Sequence, residues 1–140
     1  MNLPAPSEKG LSLTPPPARG LGMDLVDLPR FRAVLERQGE AFLERVFTPH
    51  ERAYCLDKSD PAPFFAARFA AKEAVSKAFG TGIGAQIGLQ DIEVFHLPSG
   101  APAVRLLGRG AELAARTSVR EILLSLTHTD TLAGATVILQ

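Results

Sequence analysis

Residues 64–82 read FFAARFAAKEAVSKAFGTG, and this stretch carries the strongest helical pattern in the chain. It predicts a helix over 64–79, ended by Gly80-Thr81-Gly82, because glycine permits the left-handed turn that closes a helix. Small residues surround its charged side chains, so another chain or a ligand could approach the helix closely. These small residues are Ala66, Ala67, Ala70, Ala71, Ala74 and Ala78.

The residues before this helix predict one strand and three shorter helical segments, of which the second covers 41–46. An apolar stretch over 21–26 is typical of a first strand. Asp27, followed by Pro29, has the pattern of a helix N-cap with proline in the first turn, and Gly39 interrupts the helical spacing that follows. Thr48-Pro49-His50-Glu51 has the pattern of a capping box at the start of another helix. A loop with two prolines then precedes residue 64.

The second half of the chain changes to the period of β-structure. The predicted strands cover 91–97 and 104–107, and a closing antiparallel hairpin covers 121–127 and 131–139. A helix is predicted over 108–116. This order of strand, helices and then strands favours an α+β fold in which an antiparallel sheet packs against helices.

Length and composition limit the classes of protein to consider. The chain has 140 residues, 46% of them hydrophobic, which fits one domain with a real core. Fifteen basic residues balance fifteen acidic ones, and aromatic residues make up only 6%, so we expect no nucleic-acid partner. No apolar run reaches the roughly 18 residues of a membrane span. Cys55 is the single cysteine, which fits a reducing, cytoplasmic location.

The chain begins with a segment of different composition. Residues 1–19 hold five of the eleven prolines and show no apolar periodicity. We expect a proline-rich flexible tail over 1–19 and one folded domain over 20–140.

The charged residues of the long helix have two interpretations. Arg68 and Lys72 are four residues apart, as are Glu73 and Lys77, so each pair shares a face. One interpretation is a solvated stripe with a single weak Glu–Lys pair. The other is an anion-binding strip beside one carboxylate, which would suit a metal–diphosphate substrate.

Two further candidates lie at the ends of predicted strands. Asp24 offers a second carboxylate, and His128 follows Ser125-Leu126-Thr127 on the final hairpin. Each is weak evidence alone, because aspartate and histidine at such positions are often turn or structural residues. The sequence has no Cys/His cluster for zinc, and its glycine-rich segment follows a helix, so it is not a nucleotide-binding fingerprint.

Taken together, these segments resemble holo-acyl-carrier-protein synthase, the small bacterial type of 4′-phosphopantetheinyl transferase. The resemblance covers about residues 20 to 140, in order and without a large gap. It is carried by GLGMDLVD (20–27), RFAAKEA (68–74), SKAFGTG (76–82), GAP (100–102) and SLTH (125–128). It implies the phosphopantetheinyl transferase fold, a homotrimer with active sites at subunit interfaces, and a place in fatty acid biosynthesis.

The resemblance also implies a reaction and the residues that perform it. The enzyme would move the 4′-phosphopantetheine arm of coenzyme A to a serine of apo acyl carrier protein and release adenosine 3′,5′-bisphosphate. Asp24 and Glu73 match the two ligands of Mg²⁺, and Lys77 matches a lysine beside the phosphoryl group under attack. The proton acceptor for the serine stays open between Glu73 and a metal-bound water. The positions that match coenzyme A contacts are Arg68, Lys72, Gly80, Thr81, Gly82 and His128.

The acidic carrier protein would need a local basic surface. Arg30 matches an arginine that contacts the carrier in this family, and Arg37, seven residues on, lies on the same side of the helix. The alternative is a solvated face balanced by neighbouring glutamates. A non-catalytic module that binds coenzyme A or the carrier protein is the competing function. For the trimer, we expect an apolar sheet flank to be buried between subunits, formed by Val104, Leu124, Val137 and Leu139.

Overall fold

The structure, a computed structural model, describes residues 17–140 and has the α+β class expected from the sequence. All strand pairs are antiparallel, and they form a three-stranded sheet of order β1-β5-β4 and a two-stranded sheet of β2 and β3. The strands are β1 Gly20–Asp27, β2 Ile92–His96, β3 Pro102–Leu106, β4 Ile122–His128 and β5 Leu132–Leu139. The helices are α1 Leu28–Val46, α2 Pro49–Leu56, α3 Ala62–Ala78, α4 Gly108–Arg116 and a 3-10 helix, Leu89–Asp91.

The helix starts follow the capping residues of the sequence. The Asp27 carboxylate accepts a hydrogen bond from the Arg30 backbone N–H at 2.9 Å, and Thr48 with Glu51 forms a complete capping box. Gly39 has φ 56°, which kinks α1 at the predicted interruption. The long helix begins at Ala62, two residues earlier than predicted. Pro63 lies in its first turn, where the missing N–H of proline removes no helical hydrogen bond.

The first part of the core lies between α3 and the three-stranded sheet. Alanines and Val75 on α3 are buried against Ala135, Val137 and Leu139 of β5. Val137 is 0% exposed and Leu139 is 1% exposed, so the expected apolar flank is wrong for these two residues. Val104 and Leu124 are only partly buried, yet they pack against this same core.

The second part of the core is aromatic and lies among α1, α2 and α3. Phe31, Phe42, Phe47 and Phe65 are buried there, and the rings of Phe47 and Phe65 lie 4.8 Å apart. The two parts together clamp α3 between the sheet and the two preceding helices, so α3 is the central helix of the fold.

The outer face of β1 is an apolar surface that the fold leaves open. Leu21 is 67% exposed, and Met23 and Leu25 are each 56% exposed. No helix within residues 17–140 combines the length and the apolar character needed to cross a membrane. The predicted tail falls mainly on residues 1–16, which lie outside the described residues.

Candidate functional site

The site is built where β1 lies against α3. Side chains of a strand alternate between its two faces, so Asp24 points to the same side as Gly20, Gly22 and Val26, toward α3. On α3, the Lys77 ammonium lies 2.8 Å from Asp24 Oδ1 and also donates to the Met23 carbonyl at 3.1 Å. The structure therefore brings together a strand residue and a helix residue 53 positions apart in the chain.

Glu73 is the second carboxylate at this junction. It is half-buried, and burial together with the nearby Asp24 carboxylate raises its pKa, while the Lys77 ammonium opposes that rise. The hydrogen bond to Asp24 in turn raises the pKa of Lys77. Lys77 is therefore bonded to Asp24, and not to Glu73 as the simple helical-pair interpretation would have it. The carboxylates of Asp24 and Glu73 and the ammonium of Lys77 therefore lie close together at the β1–α3 junction.

The donor set here suits a hard divalent cation. Asp24 and Glu73 supply carboxylate oxygens, which Mg²⁺ prefers, and that ion commonly takes only one or two protein carboxylates with water and substrate phosphates. Within residues 17–140, no group of three or more His, Cys, Asp or Glu side chains could hold a metal ion. A two-carboxylate site therefore fits Mg²⁺ bound with a phosphate ligand better than a metal held by protein alone.

A groove of about 430 Å³ opens beside the two carboxylates. Asp24 and Glu73 are at its polar end, and Arg30 of α1 also lines it. Its apolar lining comes from β1, α1 and α3: Leu25, Val26, Phe31, Val34, Phe42 and Phe69. The groove therefore leaves both carboxylates accessible to a ligand beside an apolar surface.

Arg68 lies one turn before Lys72 and is almost completely buried. Its guanidinium stacks over the Tyr54 ring at 4.3 Å, and one of its terminal nitrogens donates to the Phe64 carbonyl at 3.3 Å. Arg68 Nε has no hydrogen-bond partner, although it is buried. An unsatisfied buried donor is unfavourable, and this side chain, at 2% exposure, is nearly as enclosed as that of Lys72.

The structure corrects the prediction that Lys72 contacts coenzyme A. It is 0% exposed, and its ammonium pairs with Glu51 at 2.7 Å in the interior. Burial lowers the pKa of Lys72, and the Glu51 carboxylate opposes that effect. Because every face of this ammonium is enclosed, it has no surface to offer a coenzyme A phosphate. The four-residue spacing correctly predicts that Arg68 and Lys72 lie on one face of α3. That face is buried and is not exposed to solvent.

The structure does not bring His128 to Asp24 within one chain. His128 is exposed at the end of β4 and lies opposite Ala133 of β5, whereas Asp24 pairs with Ala135 on the other edge of β5.

The turn after α3 is open. Gly80 has φ 76° and Gly82 has φ 65°, both in the region that glycine adopts readily.

The two arginines expected to meet a protein partner lie on α1. Arg30 and Arg37 are both exposed, and Arg30 is at the edge of the groove. Arg32, also exposed, is instead held by Asp60 through two hydrogen bonds of 2.9 and 2.7 Å. Arg32 is therefore held in an ion pair, whereas Arg30 lines the groove.

Sequence reasoning missed two groups that surround these residues. Glu51 was interpreted only as a capping residue, although it also binds Lys72. His96 was given no role by its sequence context, but its ring stacks on Tyr54 at 4.7 Å, and Arg68 and Lys58 also lie against that ring. Burial, Arg68 and Lys58 together lower the pKa of His96. No spacing signal could reveal either contact, because the partners lie 21 and 42 residues apart in the chain.

Comparisons with known proteins all lead to one family. The family model of the 4′-phosphopantetheinyl transferase superfamily matches residues 20–135. Holo-[acyl-carrier-protein] synthases from Syntrophus aciditrophicus and Syntrophotalea carbinolica are 43% and 48% identical over 121 residues, which is 86% of this chain and 94% of each relative. Among solved structures, the Neisseria meningitidis holo-[acyl-carrier-protein] synthase has a TM-score of 0.83 at 29% identity, over 88% of this chain and 98% of its own. The Helicobacter pylori synthase in complex with coenzyme A has a TM-score of 0.77 at 32% identity, over 86% and 99%.

Proposed function

Since this chain belongs to the 4′-phosphopantetheinyl transferase superfamily, we propose that it is a holo-acyl-carrier-protein synthase. It transfers the 4′-phosphopantetheine group from coenzyme A to a serine of apo acyl carrier protein and releases adenosine 3′,5′-bisphosphate. The observation that carries this function is the junction of Asp24, Glu73 and Lys77, where two carboxylates and an ammonium meet beside an open groove. The carrier protein it serves is that of fatty acid biosynthesis, in the cytoplasm.

Mg²⁺ is the metal that we assign to this enzyme. Asp24 and Glu73 would hold it, and their shared position at the β1–α3 junction supports the assignment. When bound, Mg²⁺ would neutralise charge on the diphosphate of coenzyme A and favour departure of the bisphosphate. Asp24 and Glu73 hold their carboxylates on two elements that pack without intervening side chains, so the two groups stay close together.

Lys77 is the residue we assign to the phosphoryl group under attack. Its ammonium, on the exposed side of α3, reaches the metal-binding carboxylate Asp24 without being buried. A cation held at that place would stabilise negative charge that develops on the phosphoryl oxygens during transfer. The hydrogen bonds to Asp24 and to the Met23 carbonyl orient this ammonium before substrate arrives.

Coenzyme A contacts are assigned to Arg68, His128 and the turn Gly80-Thr81-Gly82. Arg68 is assigned from the family resemblance, which identifies its ligand as the adenosine 3′-phosphate; it is 2% exposed, but unlike Lys72 it keeps one donor, Nε, without a partner. The open glycine turn lets a nucleotide approach the backbone closely. Lys72 is left out of this set because it is enclosed in the interior.

A homotrimer would bring His128 of one subunit to the carboxylates of another. Two observations support this arrangement: the separation of His128 from Asp24 by β5 within one chain, and the exposed apolar side chains of Leu21, Met23 and Leu25. Burying such a row against another subunit is favourable, since exposed apolar patches commonly mark protein interfaces. The acidic carrier protein would then approach Arg30 and Arg37 on α1.

Mass spectrometry of the carrier protein tests this function. The chain is incubated with coenzyme A, Mg²⁺ and apo acyl carrier protein, and we expect the carrier mass to rise by one phosphopantetheine group. The matched control is Glu73→Gln, which keeps the size of the side chain but removes one carboxylate, and which should abolish transfer in a folded protein. Absence of modification by the unmodified chain with any carrier tried would instead support the non-catalytic binding module.

A further inference from the structure

One ion pair of the described chain lies wholly inside the protein. Among the ion pairs of residues 17–140, that between Lys72 and Glu51 alone has both side chains fully buried. Its charged atoms lie 2.7 Å apart. A buried ion pair is often no more stabilising than a pair of apolar residues of the same volume, so its presence calls for another explanation than stability.

The hydrogen bonds of this pair reach several elements of the fold. Lys72 on α3 also donates to the carbonyls of Leu89, at 2.9 Å, and of Ile92, which belong to the 3-10 helix and to β2. An ammonium has three donors, and all three are used. Glu51 on α2 accepts from the backbone N–H of Thr48 at 2.9 Å and of Val94 at 2.8 Å. The pair thus joins α3 to α2, the 3-10 helix and β2.

On the side of α3 that faces β1, Lys77 supplies a half-exposed ion pair with Asp24, and the rest of the contact is made by small residues. There the helix presents alanines, including Ala74 and Ala78, to the glycines of β1. Such a contact permits a very close approach, but it lacks the side-chain ridges and grooves that normally set how a helix packs. The directional hydrogen bonds of Lys72 therefore provide a restraint that the alanine surface does not.

Lys72 is also the immediate neighbour of Glu73. Successive residues on an α-helix point about 100° apart, so fixing the direction of one side chain fixes the direction of the next. With Lys72 held toward β2, Glu73 is turned toward Asp24. A rotation of α3 would move the Glu73 carboxylate away from Asp24, although the carboxylate itself would be unchanged.

We propose that Lys72 and Glu51 are positioning residues for the transfer reaction: their buried pair fixes the rotation of α3 and so holds Glu73 in register with Asp24. This inference rests on the proposed function, since it concerns the same two carboxylates. It differs from a purely structural role, in which any replacement that folds would leave the site intact.

The test is the double variant Lys72→Met with Glu51→Gln, made in the full chain. These changes remove both charges at nearly constant volume, so no unpaired buried charge is left. Folding is measured by circular dichroism, and Mn²⁺ binding by electron paramagnetic resonance in the presence of coenzyme A, because the site fits an ion that also takes a phosphate ligand. We expect a folded protein whose Mn²⁺ affinity is lower by about 10-fold or more, as is typical when groups that orient metal ligands are lost. Transfer should also be lower, with partial recovery at high Mg²⁺ concentration.

The matched control is Arg32→Met with Asp60→Asn, which removes the exposed ion pair between α1 and the residues before α3. It should leave Mn²⁺ affinity and transfer unchanged. A folded double variant that binds Mn²⁺ and transfers like the unmodified chain would overturn the proposal. If the double variant does not fold, Lys72→Gln with Glu51→Gln decides by the same measurements, since it also leaves no unpaired charge and the shorter amide cannot donate to both the Leu89 and the Ile92 carbonyls. Failure of the unmodified chain to transfer would count against the proposed function, and Mn²⁺ binding would still test the pair.

Discussion

A Cβ atom added to Gly22 would lie 1.8 Å from the carbonyl oxygen of Ala74. β1 and α3 therefore meet here backbone to backbone, at a distance that no side chain permits. Gly22 is two residues before Asp24 in the strand, and Ala74 directly follows Glu73 in the helix. This contact consequently sets how close the two carboxylates lie.

Gly22→Ala should disrupt the site and the fold together. The added methyl group would force β1 away from α3, and we expect a loss of about 3 kcal/mol or more in the free energy of unfolding, measured in urea. Transfer activity should be lost even under conditions in which the variant stays folded. Gly84→Ala is the control, since nothing lies within 4 Å of a Cβ there. Equal stability of the two variants would contradict this account of the junction.

Lys77→Met should impair the chemical step more than the fold. The side chain is half exposed, so its ion pair with Asp24 contributes little to stability. Losing a cation placed at developing charge should lower kcat by about 100-fold, measured under saturating coenzyme A and carrier protein. Thermal unfolding should stay near that of the unmodified chain. A change in KM alone, with kcat intact, would remove Lys77 from the chemical step.

Arg30→Ala should weaken recognition of the carrier protein. We expect a higher KM for apo carrier protein, increasingly so at low salt, and an unchanged KM for coenzyme A. Arg32→Ala is a matched control on the same helix, because Arg32 is held by Asp60. Arg37→Ala should resemble Arg30→Ala if both lie on the carrier-binding surface. Equal losses toward both substrates would count against that surface.

Cys55 should not react with thiol reagents in the folded protein. It is fully buried, and burial raises the pKa of its thiol to about 11, so almost no thiolate exists at pH 8. We expect negligible reaction with Ellman's reagent until denaturant is added, when one thiol per chain should react. Rapid and complete reaction of the native protein would show that the packing around Cys55 opens readily.

His96 should titrate below its ordinary pKa of 6.5. Burial and the charges of Arg68 and Lys58 disfavour its protonated form, so the folded protein binds fewer protons than the unfolded chain. The free energy of unfolding should therefore fall as the pH falls from 6.5 toward the pKa of the folded state. NMR titration of the His96 ring gives that pKa directly. Lys58→Gln should raise it, since the substitution removes one repelling charge; an unchanged value would mean that Lys58 does not contribute to the shift.

Local patterns in the sequence predicted the elements well where neighbouring residues decide them. Asp27, Thr48 and Glu51 cap their helices as predicted, because an N-cap hydrogen bond joins residues two or three positions apart. Strand and helix periods gave the order of elements and the α+β class. The start of α3 differed by two residues, since proline is compatible with a first turn as well as with a loop.

The division into core and surface was harder to predict for the long helix. An alanine-rich helix has no clear apolar stripe, so its sequence does not indicate which faces are buried. Val137 and Leu139 were likewise expected at an open flank, but α3 covers that face of the sheet. These errors have one cause: which surface α3 covers depends on contacts between segments far apart in the chain.

Lys72 and Lys77 show what each level of structure determined. The sequence by itself placed both lysines on one helix, supplied Asp24 and Glu73 as carboxylates, and carried the family motifs from 20 to 128. Only the tertiary structure decided that Lys72 is enclosed with Glu51 while Lys77 lies against Asp24. Helical spacing fixes the angle between two side chains, but the partner of each is set by the element that packs against that side of the helix.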